Sequence, residues 1–331
     1  MNIEVIKPGW LTTLQDAGRN GHAHLGVGRA GAFDLASLYV ANALAGNPRE
    51  ACALEITLSG PTLRFCSNAW IALTGAPAPL RVGGAEARMW APVPVAAGAT
   101  VEIGTMPSGC RSYLAVAGGL GIEPVLGSRS TDLNAALGPL PRPLRAGDIL
   151  ATSATADLPF EPGATSPSWS VDPRPWFDDD GEPALRLMPG PHLENLAEGP
   201  RNTLFSEPFS VDTDSNRVGV RLRGPALDWH SPIEMVSEGC VPGLLQLPPS
   251  GQPIAFGPEC PVSGGYPRLG TIAAVDLPRL AQRRPGDAVR FRPCTYEEAV
   301  DALRKREAAL RRLEAAIHQR LRQDHGQPGS P

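Results

Sequence analysis

Leu54-Glu55-Ile56-Thr57-Leu58-Ser59-Gly60-Pro61-Thr62-Leu63-Arg64-Phe65 decides the reading of the fold. Apolar and polar side chains alternate up to Leu58, as a strand with one buried face requires. Gly60-Pro61 then turns the chain, and Leu63-Arg64-Phe65 resumes the alternation. Residues 70–74, 99–103 and 112–117 repeat the pattern, with turn signals about every ten residues, the rhythm of barrels and sandwiches. It returns at 185–188, 209–211, 218–222, 243–247, 254–256 and 271–275. Glycine and proline number 36 each, which suits a turn-dense, mainly β protein and argues against a helical bundle.

Two features divide the chain. Leu58-Ser59-Gly60-Pro61 has a counterpart in Leu222-Arg223-Gly224-Pro225, and Gly147-Asp148-Ile149-Leu150 in Gly286-Asp287-Ala288-Val289, which suggests two related β-barrel lobes. Between them, 151–183 is rich in Ser, Thr, Pro and Asp and reads as a linker. The expected organisation is a first lobe at 1–150, a linker at 151–183, a second lobe at 184–294, and a C-terminal helix and tail at 295–331.

Helices are few. Phe33, Ala36, Val40 and Leu44 recur at helical spacing within 32–44, with Gly46 as the stop. A longer helix runs from Tyr296 to about Gln323, opened by Thr295 with Glu298 three residues on, a capping box. Its stripe of Leu303, Leu310, Leu313 and Ile317 packs either on a partner or on the chain's own lobe.

Composition excludes several functions. Net charge is −4 and arginine is dispersed, so neither nucleic acid nor an anionic membrane surface is an expected partner. No secretory leader or long apolar run is present, so the expected location is cytoplasmic. The six cysteines form no C-x-x-C pair, and reduced thiols are expected. Lys7 and Lys305 are the only lysines, which rules out a P-loop and a biotin-carrying lysine between methionines, so no biotin is attached to this chain.

Gly26-Val27-Gly28-Arg29-Ala30-Gly31 spells G-x-G-x-x-G, but no apolar strand precedes it and no strand–helix repeats follow, so a dinucleotide fold is not expected. The plainer reading is a loop shaping a helix N-terminus. His22 and His24 would share one face of a strand, without a nearby third ligand, and no metal is expected.

Three polar, glycine-hinged loops are candidates for a site. In the first, Thr12, Thr13, Gln15, Asp16 and Arg19 crowd hydrogen-bonding groups around Gly18. Either the turn satisfies itself with an Asp16–Arg19 ion pair, or Asp16 serves as a base or orienter while Arg19 clamps an anion. In the second, alternation around Val218 puts Arg217, Arg221 and Arg223 on one face, a solvated exterior or the wall of an anion pocket. In the third, Gly264-Gly265-Tyr266-Pro267 offers backbone N–H groups as an anion nest, with Glu259 the nearest carboxylate. Gln246 interrupts an apolar strand and either holds a substrate amide or makes a structural bond. On this reading Arg19→Ala and Arg217→Ala each reduce turnover without lowering the melting temperature.

The run Thr12-Thr13-Leu14-Gln15-Asp16-Ala17-Gly18-Arg19, with Gly31-Ala32-Phe33-Asp34, Leu54-Glu55-Ile56, Arg111-Ser112-Tyr113, Leu126-Gly127-Ser128-Arg129-Ser130-Thr131, Gly243-Leu244-Leu245-Gln246 and Asp276-Leu277-Pro278-Arg279, carries a resemblance. It resembles the family that holds the C-type subunit of 5-oxoprolinase together with the second subunit of biotin-dependent carboxyltransferases. Where that family shows Asp and then Thr ahead of Gly-Gly-Tyr-Pro, this chain has Glu259 and Val262; where it shows Ser-Gly-Ala-Met-Asp, this chain has Ala30 and Phe33. The resemblance implies two tandem cyclophilin-like β-barrel lobes and a part in the ATP-dependent opening of 5-oxoproline to glutamate. It also implies a B-type partner of similar fold and a third, A-type partner. Asp16, Arg19 and Glu259 would then be catalytic, and Thr13, Gln15, Arg217, Gln246, Gly264, Gly265 and Tyr266 would bind a small carboxylate-bearing amide. The alternatives are a carboxyltransferase component of a urea or amide carboxylase, and a non-catalytic regulator that binds a kinase inhibitor.

Overall fold

A computed structural model describes residues 2–153, 164–174, 184–229 and 235–326. The chain divides into two compact units: Met1–Arg19, Asp34–Trp176 and Ala309–Pro331 form the first, and Asn20–Phe33 with Phe177–Ala308 form the second. The segment Asn20–Phe33 therefore groups with the second unit although both its flanks belong to the first, an exchange that local sequence patterns do not reveal. Most of the expected linker lies outside the described residues.

In the first unit the strands are β1 (Asn2–Lys7), β2 (Leu11–Gln15), β3 (Ala53–Thr57), β4 (Thr62–Phe65), β5 (Ala69–Gly75), β6 (Leu80–Val82), β7 (Ala85–Glu86), β8 (Val93–Val95), β9 (Thr100–Ile103), β10 (Arg111–Val116) and β11 (Ile149–Ala151). They form a six-stranded sheet, β11-β1-β4-β9-β6-β7, and a five-stranded sheet, β2-β3-β10-β5-β8. Both contribute to one apolar core, Ile3, Leu63 and Phe65 from the first sheet and Leu14, Ile56 and Leu114 from the second. The alternation read at 54–65 is the physical cause, since period-two spacing sends Leu54, Ile56, Leu63 and Phe65 to that core. Helix α1 (Leu35–Leu44) packs on β5 and β10. It starts three residues later than spacing suggested because Asp34 is its N-cap, accepting from the Ser37 backbone N–H, while Phe33 goes to the other unit's core. Gly46, at φ 68°, follows its end as expected.

The second unit holds β12 (Ala184–Pro189), α2 (Glu198–Ser206), β13 (Phe209–Val211), β14 (Gly219–Arg223), β15 (Glu238–Gly239), β16 (Leu244–Gln246), β17 (Ile254–Phe256), β18 (Ser263–Gly264), β19 (Arg268–Ile272), α3 (Leu277–Ala281) and β20 (Ala288–Pro293). Seven of these strands close a barrel in the order β12-β19-β16-β17-β14-β13-β20, with a parallel β12–β20 pair completing the circuit. Closure removes the unpaired edges of an open sheet. Leu187, Phe209, Leu222, Leu245 and Phe291 fill its interior together with Phe33. A two-stranded sheet, β15-β18, stands apart from the barrel's ladders.

Helix α4 (Tyr296–Gly326) opens as the sequence predicts: Thr295 N–H donates to Glu298 Oε2 at 2.9 Å and Glu298 N–H donates to Thr295 Oγ1 at 3.2 Å. Ala299 packs with Ala273, Val275 and Cys294 of the second unit. Residues from Ala309 group with the first unit, where Arg49 pairs with Glu314 at 2.9 Å. Leu310, Ile317 and Leu321 are buried, whereas Leu303, expected in the same stripe, is 43% exposed. Thr295→Ala is expected to cost about 1 kcal/mol through loss of the cap, read as a lower denaturation midpoint at unchanged slope. No helix among the described residues is long and apolar enough to cross a membrane.

Candidate functional site

One face of the five-stranded sheet carries polar residues in register. Thr13 stands opposite Glu55, Glu55 opposite Tyr113, and Tyr113 opposite Thr74, so four neighbouring strands present a continuous polar row. All four are buried. The Tyr113 hydroxyl donates to Glu55 Oε2 at 2.8 Å and accepts from the Asp34 backbone N–H at 2.8 Å, while Arg111 Nε lies 3.5 Å from Glu55 Oε1. Burial first, then the charges of Glu55 and Asp34, push the Tyr113 phenol well above its ordinary value, so it stays a donor throughout the physiological range. Thr74 Oγ1 donates to the Ser37 carbonyl at 2.7 Å, tying the row to α1.

Asp16 lies beyond the end of β2 in the grip of a second loop. Its carboxylate accepts from the Gly18 N–H at 2.8 Å, from Ser128 Oγ and Ser130 Oγ at 2.6 Å each, and from the Arg129 N–H. Three of these donors converge on Oδ1 and the Arg129 N–H alone meets Oδ2. Arg19, 2% exposed, donates to the Ser130 carbonyl at 2.8 Å and to the Val125 carbonyl at 3.4 Å. Gln15 Nε2 donates to Thr13 Oγ1 and to the Thr131 carbonyl, while its Oε1 is buried with no donor among the described residues. This arrangement clasps 128–131 to β2. The buried Cys52 thiol nearby is pushed far above its ordinary value, by burial first and then by the Asp16 charge, and is held neutral.

In the second unit Arg217 and Glu259 form a buried ion pair, each 3% exposed, with Nε to Oε1 at 2.5 Å. Arg217 Nη2 also donates to the Gly31 carbonyl at 2.6 Å, tying the 20–33 segment to the barrel. Gly257 makes this packing possible, since a Cβ there would sit 2.3 Å from the Arg217 carbonyl oxygen and 3.2 Å from the Phe33 ring. The strand alternation that grouped Arg217 with Arg221 and Arg223 does not hold. β14 begins only at Gly219, after a turn in which Asn216 Oδ1 accepts from the Val218 N–H, so Arg221 and Arg223 are exposed while Arg217 points inward. Likewise His22 and His24 flank and join a 3-10 turn, not a strand.

Gln246 is 2% exposed at the end of β16, and its amide nitrogen makes a long bond of 3.8 Å to Cys240 Sγ. Gly264 lies against that amide: a Cβ at 264 would stand 3.2 Å from Gln246 Nε2 and 3.1 Å from Cys240 Sγ. Gly265 has Ser237 beside it, and Tyr266 is 47% exposed. The structure thus joins Thr13 with Gln15 and holds Asp16 and Arg19 on one clasped loop in the first unit. In the second it joins Arg217 with Glu259, and Gln246 with Gly264. Local reading missed Ser128 and Ser130 as carboxylate donors and the Glu55–Tyr113 contact, because each depends on strand register or on residues more than a hundred positions apart.

The family model described as the carboxyltransferase domain, subdomain A and B, matches residues 25–293, and the chain belongs to that family. It is 35% identical to the C-type subunit of 5-oxoprolinase from Escherichia coli strain K12 over 325 residues, covering 96% of this chain and 99% of that one. The corresponding Haemophilus influenzae protein, also named as the C-type 5-oxoprolinase component, is 30% identical over 319 residues, again 96% and 99%. Among solved structures, the Kluyveromyces lactis urea amidolyase superposes with a TM-score of 0.84 at 28% identity, over 93% of this chain but 20% of that much longer one.

Proposed function

We propose that this chain is the C-type subunit of an ATP-dependent 5-oxoprolinase, working with a B-like partner of similar fold and an A-like third partner. The observation that carries the reading is the alignment with the Escherichia coli C-type protein at 35% identity over 99% of its length. In this reading the complex opens the lactam of 5-oxoproline at the expense of ATP: the lactam oxygen takes the γ-phosphoryl group as ADP leaves, water adds to the activated carbon, and the ring C–N bond breaks to release glutamate and phosphate. Gln246, Gly264, Gly265 and Tyr266 face the substrate. Thr13, Gln15 and Asp16 are buried in the first unit.

The arginines singled out by sequence both hold acceptors within the protein. Arg19 serves the Ser130 and Val125 carbonyls, and Arg217 serves Glu259 and Gly31.

The likeness to urea amidolyase favours a second reading, carboxyl transfer to an amide from a biotin carrier borne elsewhere. Affinity purification of the tagged chain from its own host separates them. Recovery of a barrel-type partner with ATP- and 5-oxoproline-dependent glutamate release supports the first reading. A biotinylated partner with bicarbonate-dependent ATP cleavage supports the second. A partner bound with turnover in neither assay overturns both in favour of a regulator.

A further inference from the structure

We infer that Arg268 is the carboxylate-recognising residue of a small-molecule site at one end of the second unit's barrel, and that Glu238 is its internal competitor. The inference rests on the 5-oxoprolinase reading for the identity of the ligand, but its geometry stands independently. Four residues close a ring around one another. Gln246 of β16 pairs in register with Arg268 of β19, Arg268 Nη2 forms an ion pair with Glu238 Oε2, Glu238 of β15 pairs with Gly264 of β18, and Gly264 abuts the Gln246 amide.

The ladder between β16 and β19 slips at this point: Leu245 faces Gly270 while Gln246 faces Arg268, so one residue of β19 is extra. Such a bulge turns a side chain out of the strand's regular alternation, here bringing the guanidinium beside β15. Arg268 Nε is buried and has no acceptor among the described residues, whereas the side chain as a whole keeps 26% of its surface accessible. A desolvated guanidinium N–H without an acceptor is costly, and a planar carboxylate would supply what is missing.

The rest of the ring suits a carboxylate that carries an amide. The Gln246 amide, weakly held by Cys240, has donor and acceptor groups complementary to a lactam. Gly264 stands against that amide with no side chain of its own. His192 Nδ1 accepts from the Arg268 backbone N–H at 3.1 Å, and burial, then the Arg268 charge, holds the imidazole below its usual value. It therefore adds no second positive charge at neutral pH. Val236 and Tyr266, 80% and 47% exposed, stand two residues from Glu238 and Gly264 in the chain and offer apolar surface for the ring methylenes. Glu238 is 40% exposed, so its carboxylate is free to swing into solvent when a ligand carboxylate takes its place on Arg268.

The two ends of this ion pair have opposite expected effects, which an ordinary structural pair does not. In ligand-observed NMR titrations of the full chain, 5-oxoproline is expected to bind and 2-pyrrolidinone, which lacks the carboxylate, to bind much more weakly. Arg268→Gln is expected to weaken 5-oxoproline about 10- to 100-fold and to erase that preference. Glu238→Gln is expected to tighten binding by up to about fivefold, the worth of the exposed pair it removes. Melting temperatures of both variants are recorded alongside. Equal affinity for the two ligands in the unmodified chain, no binding at all, or loss of affinity in both variants would overturn the inference. Binding with this pattern but no glutamate release by the assembled complex would leave the site standing and remove the 5-oxoprolinase reading instead.

Discussion

Glu259→Ala is expected to lower the melting temperature of the full chain by on the order of 10 °C, through a loss of about 3–5 kcal/mol. The reason is the position of its partner. Arg217 is 3% exposed, and removal of Glu259 takes a counter-charge from a buried guanidinium that also donates to the Gly31 carbonyl. Arg217→Ala is expected to cost a similar amount, since it takes the guanidinium from the buried Glu259 carboxylate and also releases the 20–33 segment from the barrel. This reverses the expectation from sequence, in which Arg217→Ala spared stability. The double change Arg217→Met with Glu259→Leu should recover part of the loss, because apolar side chains of similar size need no counter-charge. Calorimetric melting of the three variants checks the sign. Unchanged melting with abolished turnover would instead make the pair part of the reaction machinery.

The second large effect falls on Asp16. Asp16→Ala is expected to lose about 3 kcal/mol, because two backbone N–H groups and two serine hydroxyls lose their shared acceptor in a place with little water to replace it. Asp16→Asn should lose somewhat less: the amide keeps an acceptor oxygen but turns a donor group toward donors. Chemical denaturation followed by far-ultraviolet circular dichroism measures both. A fully stable Asp16→Asn protein that lacks activity would assign Asp16 to proton transfer; a destabilised one assigns it to clasping 128–131 onto β2.

What local chemistry dictates was readable in the sequence. The alternation at 54–65 produced β3 and β4, the Thr295/Glu298 box opened α4 at the named residue, and Gly46 stands just beyond the end of α1. The mainly β fold with a closed barrel and a C-terminal helix follows from such signals. What depends on distant residues was not readable. Alternation assigned Arg217 to the face of Arg221 and Arg223, but the Asn216 turn resets the strand's phase before Gly219. The loop Asn20–Phe33 reads as part of the first unit until Phe33 is seen in the other core. Glu55 and Tyr113 are 58 positions apart, and only the β3–β10 register makes them partners. The candidate site divides in the same way. The polar loops were visible, whereas the acceptors that occupy their arginines were not, and Arg268 emerged only from the bulge in β19.

The most direct test of the central claim is glutamate release from 5-oxoproline by the purified complex assembled with and without this chain. ATP-dependent release is expected when the chain is present, and none when it is left out. Full release in its absence, or bicarbonate-dependent carboxylation in place of release when it is added, would contradict the claim.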